Sequence, residues 1–184
     1  PLEIVDRLGV RVEGMNLEPR LCRDAHAVFR AALRAADPYQ AVLRTVRVDG
    51  DTLTAGGRRY DLRRFSSIQV VGAGKASATM ARAIEKLLGR RVTGGLINTK
   101  YGHLAKLRKI ELNEAGHPVP DSQGIDGARR IARILDACAE DTLVIALISG
   151  GASALLPYPA DPVTLAEKQE TTKLLLACGA TIHE

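Results

Sequence analysis

Ile68-Gln69-Val70-Val71-Gly72-Ala73-Gly74-Lys75-Ala76-Ser77 sets an apolar run directly before a glycine-rich turn that carries a lysine. The run reads as a buried strand and Ala76 to Leu88 as the helix that follows, so the glycines sit at a strand-to-helix turn. At such a turn the first backbone N–H groups of the helix and its dipole attract an anion. A lysine there is opposed by that same dipole, and an anionic partner would offset the repulsion.

A second stretch has the same grammar. Thr142 to Ile148 is wholly apolar after its first residue, and Ser149-Gly150-Gly151-Ala152-Ser153-Ala154 adds two adjacent glycines and two small hydroxyl side chains. Both turns are expected to present amides to a phosphate or carboxylate, on two walls of one cleft. Three stock motifs fail. A Walker A loop needs glycine where Gln69 stands and Ser or Thr where Ala76 stands. A dinucleotide fingerprint needs glycine or alanine where Ser77 stands and an acid closing the next strand, which instead ends Ile97-Asn98-Thr99-Lys100. A nucleophile elbow needs glycine where Leu155 stands.

Outward from these turns, strands and helices alternate. The reading is strand 68–71, helix 76–88, strand 94–98, strand 109–113, helix 125–138 and strand 142–148. That order predicts an α/β, doubly wound, mostly parallel (Rossmann-like) sheet with helices on both faces, incomplete in this chain. Before it, Leu21, Ala25, Val28, Ala32 and Ala35 recur at helical spacing over 18–36 and predict a covering helix stopped by Asp37-Pro38. Stretches 42–48 and 53–62, around Asp49-Gly50-Asp51 and Gly56-Gly57, predict one or two short hairpins. Thr164 to Cys178 is a helix with Thr164 as N-cap, Glu167 closing a capping box and Gly179 at its end. Residues 1–16 read as a flexible arm, and 17–184 as one α/β domain.

Composition narrows the class. Of 184 residues, 46% are hydrophobic and 26% charged, the balance of an ordinary globular protein. Cys22, Cys138 and Cys178 are too scattered for a zinc site or a disulfide framework, which points to a reducing, cytoplasmic setting. No apolar stretch approaches a bilayer span and none resembles a signal peptide. A net charge of +5 with 3% aromatics and no Trp offers no stacking platforms for single-stranded nucleic acid. The charge then reflects an anionic small molecule or only an arginine-rich surface of solvated helix faces, and no nucleic-acid or membrane partner is expected.

Two further strand ends could line the cleft. In Glu114-Ala115-Gly116-His117-Pro118-Val119-Pro120-Asp121, the prolines stiffen a loop that would aim His117 and Asp121. The bland alternatives are a histidine bonded to its own loop and an Asp that caps the next helix. Asn98-Thr99-Lys100-Tyr101-Gly102-His103 ends the other strand, where Lys100 is either a cleft cation or a solvated charge.

In this order, Gly72 to Ser77, Lys100 to His103, Gly116 to Asp121, Ser149 to Leu155 and Leu175-Leu176-Ala177-Cys178-Gly179-Ala180 resemble the glycerate 2-kinase family (glycerate kinase type-2, MOFRL-containing). The match covers about the last two thirds of the chain. Ala152 departs from the further glycine expected in its loop. The resemblance implies a cytoplasmic enzyme that transfers the γ-phosphoryl of ATP to the 2-hydroxyl of D-glycerate with Mg²⁺, and a homodimer is compatible with it. It also implies that this chain is the first part of the N-terminal domain of a two-domain kinase, inactive by itself. Lys75 is the expected catalytic residue. Gly72, Gly74, Ser77, Lys100, His117, Asp121, Ser149, Gly150, Gly151 and Ser153 are expected to bind substrate or nucleotide, and no metal ligand is named. The alternatives are a hydroxypyruvate reductase using a nicotinamide cofactor and a non-catalytic anion-binding fragment.

Overall fold

The computed structural model describes residues 19–181; the expected arm at 1–16 lies outside them. The chain divides into two units, 1–37 and 38–184. In the first, the expected helix is present as α1, Pro19–Ala36. Its side chains from Arg20 to Ala36 are all exposed.

The second unit opens with α2, Pro38–Thr45, then β1 Val46–Asp49, β2 Thr52–Ala55 and β3 Arg58–Asp61. The three strands pair as an antiparallel meander, β1-β2-β3. Its turns use Gly50, Gly56 and Gly57 at positive φ, as the two-hairpin reading requires. The expected strand at 42–45 is instead helical. Pro38 occupies the first helical position, where its missing N–H costs nothing, and helix places Val42 in the core. Burial outweighs the β-propensity of a single valine.

A four-stranded parallel sheet follows, in the order β6-β5-β4-β7. Its strands are β4 Ser67–Ala73, β5 Gly94–Lys100, β6 Glu111–Ala115 and β7 Thr142–Ile148. Between β4 and β5 runs α3, Ser77–Leu88, and between β6 and β7 runs α4, Ser122–Asp136. Alternate residues of β4 serve opposite faces. Ile68 and Val70 pack with Ile84 and Leu88 of α3, while Val71 packs with Leu96 and Ile131 of α4. Burying a side chain such as Ile84, 2% exposed, contributes roughly 1.5–3 kcal/mol. The α/β doubly wound reading therefore holds.

Element ends moved for local polar reasons. Strand β6 begins two residues later than expected because the Glu85 carboxylate accepts the N–H groups of Arg108, Lys109 and Ile110. Those donors are turned towards α3. Strand β5 runs past Asn98 because Asn98 and Thr99 are buried with every polar atom bonded. Helix α4 starts three residues early, where Asp121 caps it. A four-residue α5, Ala152–Leu155, and α6, Leu165–Ala177, complete the described chain. Helix α6 has the expected Thr164–Glu167 capping box. Its last turn closes with Gly179 N–H on Leu176 O and Ala180 N–H on Leu175 O, a Schellman end.

Candidate active site

The order of the sheet reverses between β4 and β7, which pair along their whole length from Ser67–Thr142 to Ala73–Ile148. In open α/β sheets, ligands bind outside the carboxyl ends of the strands at such a switch point. Both glycine turns emerge there, one after β4 and one after β7, so topology brings together two segments separated by about seventy residues.

The turns are tied to each other. Lys75 N–H donates to Gly150 O (3.0 Å), Ser149 N–H to Ala73 O (3.0 Å) and Gly74 N–H to Asn98 O (3.1 Å). Ala76 N–H donates to Ser149 Oγ (3.0 Å), and Ser77 N–H to Gly74 O (3.2 Å). The four amides from Gly74 to Ser77 are thus all engaged within the protein. This corrects the expectation that the first turn cradles an anion with its backbone. Ser77, 0% exposed, bonds Ala73 O and Leu147 O. A side chain on Gly72 would overlap Leu147 O and one on Gly74 would overlap Ser149 Oγ, so these glycines allow close approach of the two turns. Gly72, Gly74 and Ser77 form the seam between the walls.

The second turn is the open one. Among the described residues, the amides of Gly150, Gly151 and Ser153 donate to no backbone or side-chain acceptor. Gly151 stands at φ +92°, and a Cβ on it would lie 2.7 Å from His117 Cδ2 and 3.5 Å from Lys75 Cε. His117 and Lys75 therefore converge over Gly151. Burial pushes the His117 imidazole below its ordinary value, and the charges of Lys75, Lys100 and His103 add to that. The result is an imidazole biased towards its neutral form beside the lysine charges.

His103, which the site prediction omitted, lies beside them with Nδ1 3.2 Å from the Lys75 carbonyl oxygen. Its place in Lys100-Tyr101-Gly102-His103 was the available signal. Thr99 Oγ1 donates to the His103 carbonyl (3.1 Å) and helps shape that turn. Asp121 takes its structural role: Oδ1 accepts from Gly124 N–H (2.9 Å) and Oδ2 from Tyr101 OH (2.8 Å). Burial by itself would raise its pKa, but the Gly124, Gly116 and Tyr101 donors outweigh it and hold the carboxyl below its ordinary value. Asn98 does not line the cleft. It is 0% exposed and joins Gly124 O, Leu155 O and Asn113 in a satisfied polar cluster.

The assembled site sets the cationic side chain of Lys75 beside the free amides of the Gly150-Gly151 turn, an arrangement suited to an anionic ligand. Among the described residues no group of three His, Cys, Asp or Glu side chains is placed to hold a metal ion, and no helix is long and apolar enough to cross a membrane.

Most of the chain is similar to known proteins. A "Glycerate 2-kinase" from Pyrococcus horikoshii is 43% identical over 153 residues, 83% of this chain and 34% of that protein. A relative from Agrobacterium vitis named as a hydroxypyruvate reductase is 40% identical over 157 residues, 85% of this chain and 33% of that one. The crystal structure of a glycerate kinase from Thermotoga maritima superposes with a TM-score of 0.71 at 32% identity, covering 90% of this chain and 37% of that one. The chain spans about a third of the length of these relatives. The family model described as "Domain of unknown function (DUF4147)" matches residues 24–184, and with that extent of match the chain belongs to this family.

Proposed function

We propose that these residues form one wall of the cleft of a glycerate kinase, which transfers the γ-phosphoryl of ATP to the 2-hydroxyl of D-glycerate. The observation that carries the reading is the meeting of Lys75 and His117 over Gly151 at the switch point, with Lys100 and His103 near enough for their charges to act on the His117 ring. Phosphoryl transfer asks a protein mainly to align the reactants and to offset charge on the transferred oxygens. The glycerate kinase names among the relatives supply the substrate.

In this reading Lys75 contacts the transferring phosphoryl group or the glycerate carboxylate. The Gly150 and Gly151 amides, with Ser153 at the start of α5, hold further anionic oxygens, and Lys100 supplies long-range attraction. His117, neutral at pH 7, can accept a proton from a hydroxyl or donate one hydrogen bond without adding charge. Mg²⁺ is expected with the nucleotide, but the cationic donor set described here does not fit such an ion. No step is assigned to it. The same reading places the enzyme in the cytoplasm, with D-glycerate as its partner rather than a nucleic acid or membrane, and admits a homodimer.

The test is ADP release by the full-length protein containing this chain, given ATP with and without D-glycerate. Release that needs D-glycerate and yields 2-phosphoglycerate supports the proposal; release without glycerate dependence overturns it. The reductase name of one relative makes NADH and NADPH oxidation with hydroxypyruvate the necessary control. The strand that would offer a ribose-binding acid ends in Thr99-Lys100, which weighs against that second reading.

A further inference from the structure

Besides the backbone bonds between the two turns, one side-chain hydroxyl joins them at the Lys75-Ala76 peptide, that of Ser149. It accepts the Ala76 N–H at 3.0 Å and lies 3.1 Å from Ser77 Oγ. Ser77 has one hydroxyl proton and two carbonyl acceptors within reach, Ala73 O at 2.7 Å and Leu147 O at 3.0 Å. Carbonyls only accept, so that proton goes to one of them. With the Ser77 proton on a carbonyl, the Ser149 hydroxyl is placed to donate to Ser77 Oγ. Its oxygen is engaged by the Ala76 N–H and its hydroxyl faces Ser77, so both of its contacts here lie inside the protein.

The residue enclosed by this network is Lys75. Its N–H is held by Gly150 O, its carbonyl faces His103 Nδ1, and the next amide, Ala76, is held by Ser149. Gly74, just before it, has no side chain to keep the Ser149 hydroxyl away. Both peptide groups of Lys75 are thereby fixed from β7 and from the turn after β5. The exposed lysine side chain leaves an unusually well-fastened backbone.

We infer that Ser149 is a positioning residue: its hydroxyl holds the Lys75-Ala76 peptide so that the Lys75 amine is aimed over Gly151 into the cleft. The inference rests on the kinase reading for its consequence in turnover, and on the hydrogen-bond geometry alone for the fastening. A lysine aimed in advance loses less freedom at the transition state than one free to search. Ser149 then acts through Lys75, and removing either group removes the same benefit.

The experiment is a double-mutant cycle in the full-length protein. Ser149→Ala is expected to lower kcat for glycerate-dependent ADP release about tenfold or more, with KM for both substrates moving less than about threefold. In a Lys75→Ala background the same change is expected to cost less than about twofold. Ser149→Thr, which keeps the hydroxyl, should recover most of the loss. Full additivity with Lys75→Ala, or a KM effect that dominates, would mean that Ser149 touches substrate directly and would overturn the inference. If Ser149→Ala does not fold, Ser77→Ala, which loosens the same hydroxyl, takes its place in the cycle.

A second readout does not depend on turnover. Amide hydrogen exchange at Ala76 should accelerate in Ser149→Ala relative to the amides of α3, because its acceptor is gone. Unchanged exchange there overturns the fastening whatever the activity. Absence of glycerate-dependent ADP release in the parent would sink the kinase reading instead, and the exchange result would then decide the inference alone.

Discussion

The His117 imidazole lies against the Cα of Gly151: a Cβ there would come within 2.7 Å of Cδ2 and 2.8 Å of Nε2. The ring therefore occupies the space that a side chain would need, and the second turn can approach the His117 loop only as glycine. Gly151 also stands at φ +92°, where an L side chain is strained.

Gly151→Ala combines both penalties. It is expected to lower stability by about 1–2 kcal/mol and to displace His117. Thermal denaturation should show the first effect. The second should appear in the full-length enzyme as a fall in kcat/KM of at least about tenfold, roughly 1.4 kcal/mol.

His117 should titrate below its ordinary value of 6.5, with burial as the main cause and Lys75 next. Its resonance in an NMR pH titration is the measurement. Lys75→Ala should raise the midpoint part of the way back, since burial persists. With the folded-state pKa below the unfolded one, the unfolded chain takes up the proton first. The contribution to stability is whole above about pH 6.5 and is lost as pH falls from there through the folded-state pKa, so His117→Gln should flatten that part of the stability profile.

Lys75→Ala should leave the thermal midpoint near that of the parent, because the side chain is exposed. In the full-length enzyme it should lower kcat/KM by about 100-fold or more, roughly 2.7 kcal/mol. A loss of under about threefold, or ~0.7 kcal/mol, would remove Lys75 from the proposed chemistry.

Asp121→Ala removes the cap on Gly124 N–H and the acceptor for Tyr101 OH. The expected loss is about 1–2 kcal/mol, and Tyr101→Phe should cost less because the cap survives. The Asp121 pKa is held below 3.8. Its contribution is therefore present above that value and fades as pH falls through the folded-state pKa. Denaturant melts of parent and variant between neutral pH and pH 3 should converge at the acid end.

Asn98→Ala should be the most damaging of these substitutions, at about 2–4 kcal/mol. It leaves Gly124 O, Leu155 O and the Asn113 amide without their buried partner, and each such group carries a desolvation cost. Chemical denaturation measures the loss, and Asn98→Asp should not recover it, because a carboxylate cannot donate to the two carbonyls.

Much of this molecule was legible before its coordinates. The alternation around Val70 and Ile145, the capping box of Thr164 and Glu167, and the turn glycines of the meander are local signals, each carried by residues a few positions apart. Hydrophobic period, cap chemistry and positive φ act at that range, so the strand order of the elements along the chain and the α/β class follow from sequence. The motif that names Lys75 is local too.

Other features depended on residues distant in sequence. Val42 reads as strand beside Val46 and Val48, yet it turns inward from a helix because the core beneath α2 takes it there. The amides from Gly74 to Ser77 look free in the sequence, where nothing shows that Gly150 O, Ser149 Oγ and Asn98 O wait across the sheet. Asp121 was open between cap and ligand until Gly124, Gly116 and Tyr101 claimed its oxygens. Sequence alone thus determined where the two glycine turns and the lysine lie along the chain. Which turn keeps its amides free was decided only by tertiary structure, because hydrogen-bond donors are satisfied by whatever the fold brings within three ångströms, and parallel pairing of β4 with β7 brought the second turn onto the first.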